Sequence, residues 1–110
     1  MEMIHTMLSL DLKDAKPQRY SFDKKMKEEG FHKLANVDTV WAHSVEGYAG
    51  KEGLIARAFK QFLKDLVTEL EIPAISYVVQ IGNTVPLGVR IEKVNGIYRV
   101  QDFEPIETEA

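Results

Sequence analysis

The segment Ile4-His5-Thr6-Met7-Leu8-Ser9-Leu10-Asp11-Leu12 alternates apolar and polar positions and runs onto an acid just before a polar turn. Alternation with a period of two marks a half-buried strand, because successive side chains leave a strand on opposite faces. Ile4, Thr6, Leu8, Leu10 and Leu12 therefore share one face, which is expected to meet helices. Met3, His5, Met7, Ser9 and Asp11 share the other, an exposed or partner-covered sheet surface.

Downstream, Lys13 to Lys16 is a polar link and Pro17 suits the first turn of a helix. That helix is expected over about Pro17 to Glu29, burying Phe22 and Met26 at i, i+4 and ending at Gly30 in a left-handed cap. Phe31 to Leu34 reads as a short strand, Ala35-Asn36 as a turn, and Val37 to Val45 as a longer strand carrying Trp41. The loop Glu46 to Gly53 holds Gly47, Gly50 and Gly53 and is expected to be mobile. It lacks the Gly-Lys-Ser/Thr of a phosphate-binding loop.

From Lys51 to Glu71 comes the clearest helix, with Leu54, Ile55, Ala58, Phe59, Phe62, Leu63, Leu66, Val67 and Leu70 on one apolar face. Ile75 to Ile81 reads as a well-buried strand. Leu87 to Val94 and Ile97 to Phe103 flank Asn95-Gly96, a strong hairpin signal that sets Glu92 opposite Arg99 and Ile91 opposite Val100. The order is β-α-β-β-α-β followed by a hairpin at 87–103. It predicts one α+β domain over residues 1–103: a ferredoxin-like sandwich whose antiparallel sheet carries both helices on one face, with an acidic tail at 104–110 that is expected to fray.

Composition narrows the chemistry. A chain of 110 residues with 45% hydrophobic and 28% charged residues has the make-up of a soluble single domain, and it holds no apolar run long enough to span a membrane. Its first residues lack the pattern of a signal peptide, so a cytoplasmic location is expected. Zero cysteines remove disulfides, thiolate zinc sites and cysteine nucleophiles together. A net charge of −3 argues against a surface that grips nucleic acid throughout. Between Asp11 and Lys33 seven Lys/Arg against five acids leave only a weak local excess, which reads as the solvated face of a helix.

Asp11, at the end of the first strand, is the candidate catalytic acid and, with Asp38, the candidate metal ligand. The start of the Trp41 strand should lie beside it, bringing Asp38 and Thr39 close, and hard oxygen donors of this kind suit magnesium or manganese. The plainer reading of a strand-end Asp is that it turns the chain. His5 and His43 are expected near each other at the opposite end of the same strand pair. Val37, Trp41 and Val45 share one parity and Val40 and Ala42 the other, so the face taken by Trp41 stays open. If it is the helix-free face, His5, Met7, Ser9, Trp41 and His43 form a binding face suited to a homodimer, a partner or a ligand.

Leu10-Asp11-Leu12 at the strand end, Phe22 and Met26 before Lys27 and Gly30, and Asp38-Thr39-Val40-Trp41 on the later strand resemble the small Cas2-like proteins. The GhoS-type antitoxins share the fold that this resemblance implies. It covers residues 3 to 82, and His43-Ser44-Val45-Glu46-Gly47 is similar to a further motif of the Cas2 family. The resemblance implies a ferredoxin-like fold and a homodimer, with Asp11 holding a divalent metal at the dimer interface. The expected function is that of a nucleic-acid-associated accessory or antitoxin-like factor acting on RNA or DNA, and, if catalytic, a metal-dependent endonuclease. A non-catalytic dimeric module that binds a protein or a small ligand is the competing expectation, favoured by the acidic balance.

Overall fold

A computed structural model describes residues 2–37, 39–47 and 50–106. Asp38, the Tyr48-Ala49 part of the glycine loop and residues 107–110 of the acidic tail lie outside the described residues. Among the described residues six strands form one sheet: β1 (Met3–Lys13), β2 (His32–Lys33), β3 (Val40–Glu46), β4 (Ala74–Ile81), β5 (Leu87–Val94) and β6 (Ile97–Phe103). Helix α1 (Arg19–Glu28) follows a 3-10 turn at Lys16–Gln18, and α2 (Glu52–Glu69) joins β3 to β4. Neighbouring strands run antiparallel in the order β2-β3-β1-β4-β5-β6. The architecture is α+β, and no helix of the described residues is long and apolar enough to cross a membrane.

The alternation of β1 sorts its side chains as the sequence predicts. Ile4, Thr6, Leu8 and Leu10 are buried, whereas Met3, His5, Met7, Ser9 and Asp11 are exposed. The buried set joins Phe22 and Met26 of α1, Phe59, Leu63, Leu66 and Val67 of α2, and Ile75, Tyr77 and Val79 of β4 in one core. Both helices therefore pack on the same face of the sheet, and the other face is open. Of the apolar residues expected along α2, Leu54 and Ala58 point to solvent, because they lie one step round the helix from the stripe that meets the strands.

Both helices end in the same hydrogen-bonded cap with different residues at its critical position. After α1, Phe31 N–H donates to Met26 O and Gly30 N–H to Lys27 O, both at 3.1 Å, with Gly30 at φ +96°. After α2, Ile72 N–H donates to Val67 O at 2.9 Å and Glu71 N–H to Thr68 O at 3.3 Å, but here Glu71 holds the left-handed conformation, at φ +55°. A side chain with a Cβ is strained there, at a cost of about 1 kcal/mol. The sequence signals a stop at Ile72-Pro73 without revealing that Glu71 carries this strain.

Register decides the orientation that sequence left open for Trp41. Leu8 pairs with Trp41 and Thr6 with His43, so both later residues share the buried face of β1. Trp41 is fully buried, with the Lys33 ammonium 5.6 Å from its ring centre. His5 pairs instead with Ser44 on the open face. The expected proximity of His5 and His43 is thus corrected: a cross-strand offset of one residue puts the two imidazoles on opposite sides of the sheet. Trp41 and His43 are removed from the binding face, which retains His5, Met7 and Ser9.

Candidate functional site on the open sheet face

The open face is a lattice of cross-strand rows. One row runs Asp11, Ser76, Arg90, Gln101 across β1, β4, β5 and β6; the next runs Val40, Ser9, Val78, Gly88, Phe103 from β3 to β6. Beyond these, Met7 lies beside Ala42 and Gln80, and the His5 Nδ1 and Ser44 Oγ share a hydrogen bond at 2.7 Å. Between the first two rows is a hollow of about 290 Å³, lined by Ser9, Asp11, Thr39, Ser76, Val78 and Phe103 among others. That volume is near the lower limit for small-ligand sites and fits a single flat ring system better than an extended molecule.

Each wall has a local cause. Gly88 leaves the space that the Phe103 ring occupies: a Cβ on Gly88 would lie 2.7 Å from the Phe103 Cε2 atom and 2.7 Å from its carbonyl oxygen. The ring therefore lies across the glycine, beside Val78. Arg90 is held in place by its neighbours, Nη1 donating to Ser76 Oγ at 2.6 Å, while Nε and Nη2 donate to Glu92 Oε2 at 3.3 and 3.2 Å. Leu10 N–H donates to Thr39 O at 3.0 Å, which brings Thr39 alongside Asp11 as the strand order implies. Asp11 itself is exposed.

Smaller hollows lie on the helix side, among them two lined in part by His43 and by Tyr77 respectively. One, of about 210 Å³, is mainly apolar and lined by Val45, Ile55, Phe59 and Phe62, with Glu29 and His43 as its polar members. The His43 ring sits among aromatics, 4.7 Å from Phe31 and 5.2 Å from Phe59 between centres, and its Nδ1 has no hydrogen-bond partner among the described residues. The other, of about 90 Å³, is bounded by Lys60, Tyr77 and Asp102, with the Lys60 ammonium 3.1 Å from the Asp102 carboxylate. Burial, reinforced by the negative charge of Asp102, raises the pKa of the Tyr77 phenol well above its ordinary value.

Among the described residues no three His, Asp or Glu side chains converge on a point, and Asp11 has only hydroxyls as polar neighbours in the hollow. One carboxylate with hydroxyls is a poor match for magnesium or manganese, which are held by carboxylates in number or by substrate phosphates. Within one copy, the described residues alone do not supply a donor set that fits the metal; Asp38, the other expected ligand, lies outside the described residues. Sequence reasoning missed Arg90, Ser76 and Phe103. The hairpin register sets Gln101 opposite Arg90, but the placement of β4 beside β5 was needed to bring Ser76 and Asp11 into that row. Comparison with family models, with curated proteins and with solved structures finds no match for the chain.

Proposed function

We propose that the chain is a non-catalytic binding module whose open sheet face holds a planar heterocycle rich in N–H donors, a nucleobase being the natural case, so that it associates with single-stranded RNA or free nucleosides. The observation that carries this reading is the Phe103 ring laid over Gly88 at a hollow whose other lining residues include the acceptors Ser9, Asp11 and Ser76. An aromatic face stacks on any base at about 1–3 kcal/mol per base, and the hydroxyls and carboxylate suit the donors on its edge. Arg90 is already bonded to Ser76 and Glu92, and Asp11 repels phosphate, so recognition rests on the base rather than the backbone. Binding should consequently depend weakly on salt.

The Cas2-like and ferredoxin-like readings belong to the same proposal. The order β2-β3-β1-β4, with helices between β1 and β2 and between β3 and β4, supports a ferredoxin-like unit extended past β4 by the hairpin. In this reading Asp11 is a hydrogen-bond acceptor rather than a metal ligand.

Titrating uniformly 15N-labelled protein with nucleosides and a short single-stranded RNA tests it. Amide shifts are expected at Ser9, Asp11, Ser76, Val78 and Gly88, with Phe103→Ala weakening binding about tenfold or more. No shift on this face at millimolar ligand, or binding indifferent to Phe103→Ala, would sink the proposal. Manganese-dependent cleavage that disappears in Asp11→Ala would return Asp11 to the role of a metal ligand.

A further inference from the structure

We propose that β6 is an interaction edge on which a second copy of this chain pairs antiparallel, about a two-fold axis through Val100, joining two sheets into one. At the opposite margin of the sheet β2 has only two residues and offers little to pair with, whereas β6 runs Ile97–Phe103 and, among the described residues, bonds β5 alone. This long edge also exposes apolar side chains between its polar ones: Ile97 is 61% exposed, Val100 37% and Phe103 40%. Soluble proteins normally blunt such an edge, because unpaired N–H and C=O groups beside apolar side chains are a template for another strand.

The turn geometry fixes which backbone groups face outward. Asn95 and Gly96 both have positive φ, at 52° and 83°, the two-residue hairpin turn that closes on a hydrogen-bonded pair, here Val94 and Ile97. Alternation from that pair turns the N–H and C=O groups of Ile97, Arg99, Gln101 and Phe103 toward β5 and those of Tyr98, Val100 and Asp102 outward. An antiparallel strand centred on Val100 meets the outward set with an identical outward set and forms about six backbone hydrogen bonds.

Side-chain chemistry selects this register. Pairing Val100 with Val100 of the second copy sets Ile97 opposite Phe103, Tyr98 opposite Asp102 and Arg99 opposite Gln101. The rows already present in the monomer then continue across the axis: Val100 meets its own image, so that the two Ile91–Val100 pairs join in an unbroken aliphatic row. On the helix side Lys93, whose ammonium lies 5.9 Å from the Tyr98 ring centre, has Asp102 of the second copy as the next residue beyond that ring. On the open side Glu92 keeps Arg99 company, and Gln101 rather than a like charge faces it. A register centred on Arg99 would set two arginines together, and one centred on Asp102 two aspartates, which cross-strand pairing penalises.

Sedimentation equilibrium on the full chain tests this, with exposed Gln101 as the lever. Wild type is expected to show a concentration-dependent dimer. Gln101→Glu should tighten it and Gln101→Arg loosen it, each about tenfold, because the dimer contains the Arg99–residue 101 pair twice. Since the chain has no cysteine, Val100→Cys offers a second readout: a short bismaleimide should cross-link it into dimers, and should leave Tyr20→Cys, on the far helix, monomeric. A monomer up to millimolar concentration would overturn the proposal. So would a dimer with the same dissociation constant in both Gln101 variants, or one in which Val100→Cys cross-links no better than Tyr20→Cys.

Discussion

Replacing Gly88 with Ala puts the packing of the open face to a direct test. The added Cβ would lie 2.7 Å from Phe103 Cε2, 2.8 Å from Cδ2 and 2.7 Å from the Phe103 carbonyl oxygen. Ordinary carbon contacts begin near 3.5 Å, so a displacement of about 0.8 Å is required. The ring alone can swing away, but the carbonyl belongs to the backbone of the paired strand and yields only if β5 and β6 part at this end. Overpacking of this kind costs about 1–3 kcal/mol, against a gain of about 0.5–1 kcal/mol for removing a glycine from a strand. The net loss is therefore about 0.5–2 kcal/mol, to be read as a lower urea midpoint with an unchanged slope. In a Phe103→Ala background the ring clash is gone and the carbonyl clash persists, so the same substitution should cost less but still destabilise. If Gly88→Ala proves as stable as wild type, with Phe103 ring resonances unmoved, the claim that the glycine exists to seat that ring is wrong.

Two further outcomes follow from the helix cap and the buried phenol. Glu71→Gly should stabilise the protein by about 1 kcal/mol in thermal unfolding, since it relieves a left-handed side chain while keeping the cap bonds; a loss of stability would show that the Glu71 side chain contributes more than its strain. Tyr77→Phe should change stability little at neutral pH and flatten the loss of stability above about pH 10. There the unfolded chain releases its phenolic protons first while the folded chain retains the one on Tyr77, so unfolding becomes easier as pH rises. Tyr98, raised by burial and by Glu71, should leave part of that slope in the variant, and identical alkaline slopes for the two proteins would refute the assignment to Tyr77.

Much of the fold was written locally. The parity of β1, the pair Phe22 and Met26, the cap at Gly30 and the pairings Glu92–Arg99 and Ile91–Val100 depend on short-range periodicity or on one turn, and the structure has them as expected. Trp41 and His43 depend on the offset between two strands separated by a whole helix, and one residue of slip moves either to the other face. No local pattern encodes that offset. The binding face illustrates the same division: Ser9 and Asp11 are legible in β1, whereas Ser76, Arg90 and Phe103 enter only once β4, β5 and β6 are laid side by side. The Gly88–Phe103 seat could have been suspected from the hairpin register, which sets those two residues opposite each other.

The Tyr98 hydroxyl donates to Val67 O at 3.2 Å and to Ile72 O at 2.8 Å. Those carbonyls flank the end of α2, and Val67 O also accepts the Ile72 N–H of its cap. A hairpin at the margin of a sheet would ordinarily open by itself, exchanging its amide protons long before the rest of the molecule. Here the last strand cannot lift away without stripping two acceptors at the helix terminus. Hydrogen exchange should therefore find β6 and the final turn of α2 opening together as one cooperative unit, and Tyr98→Phe should uncouple them.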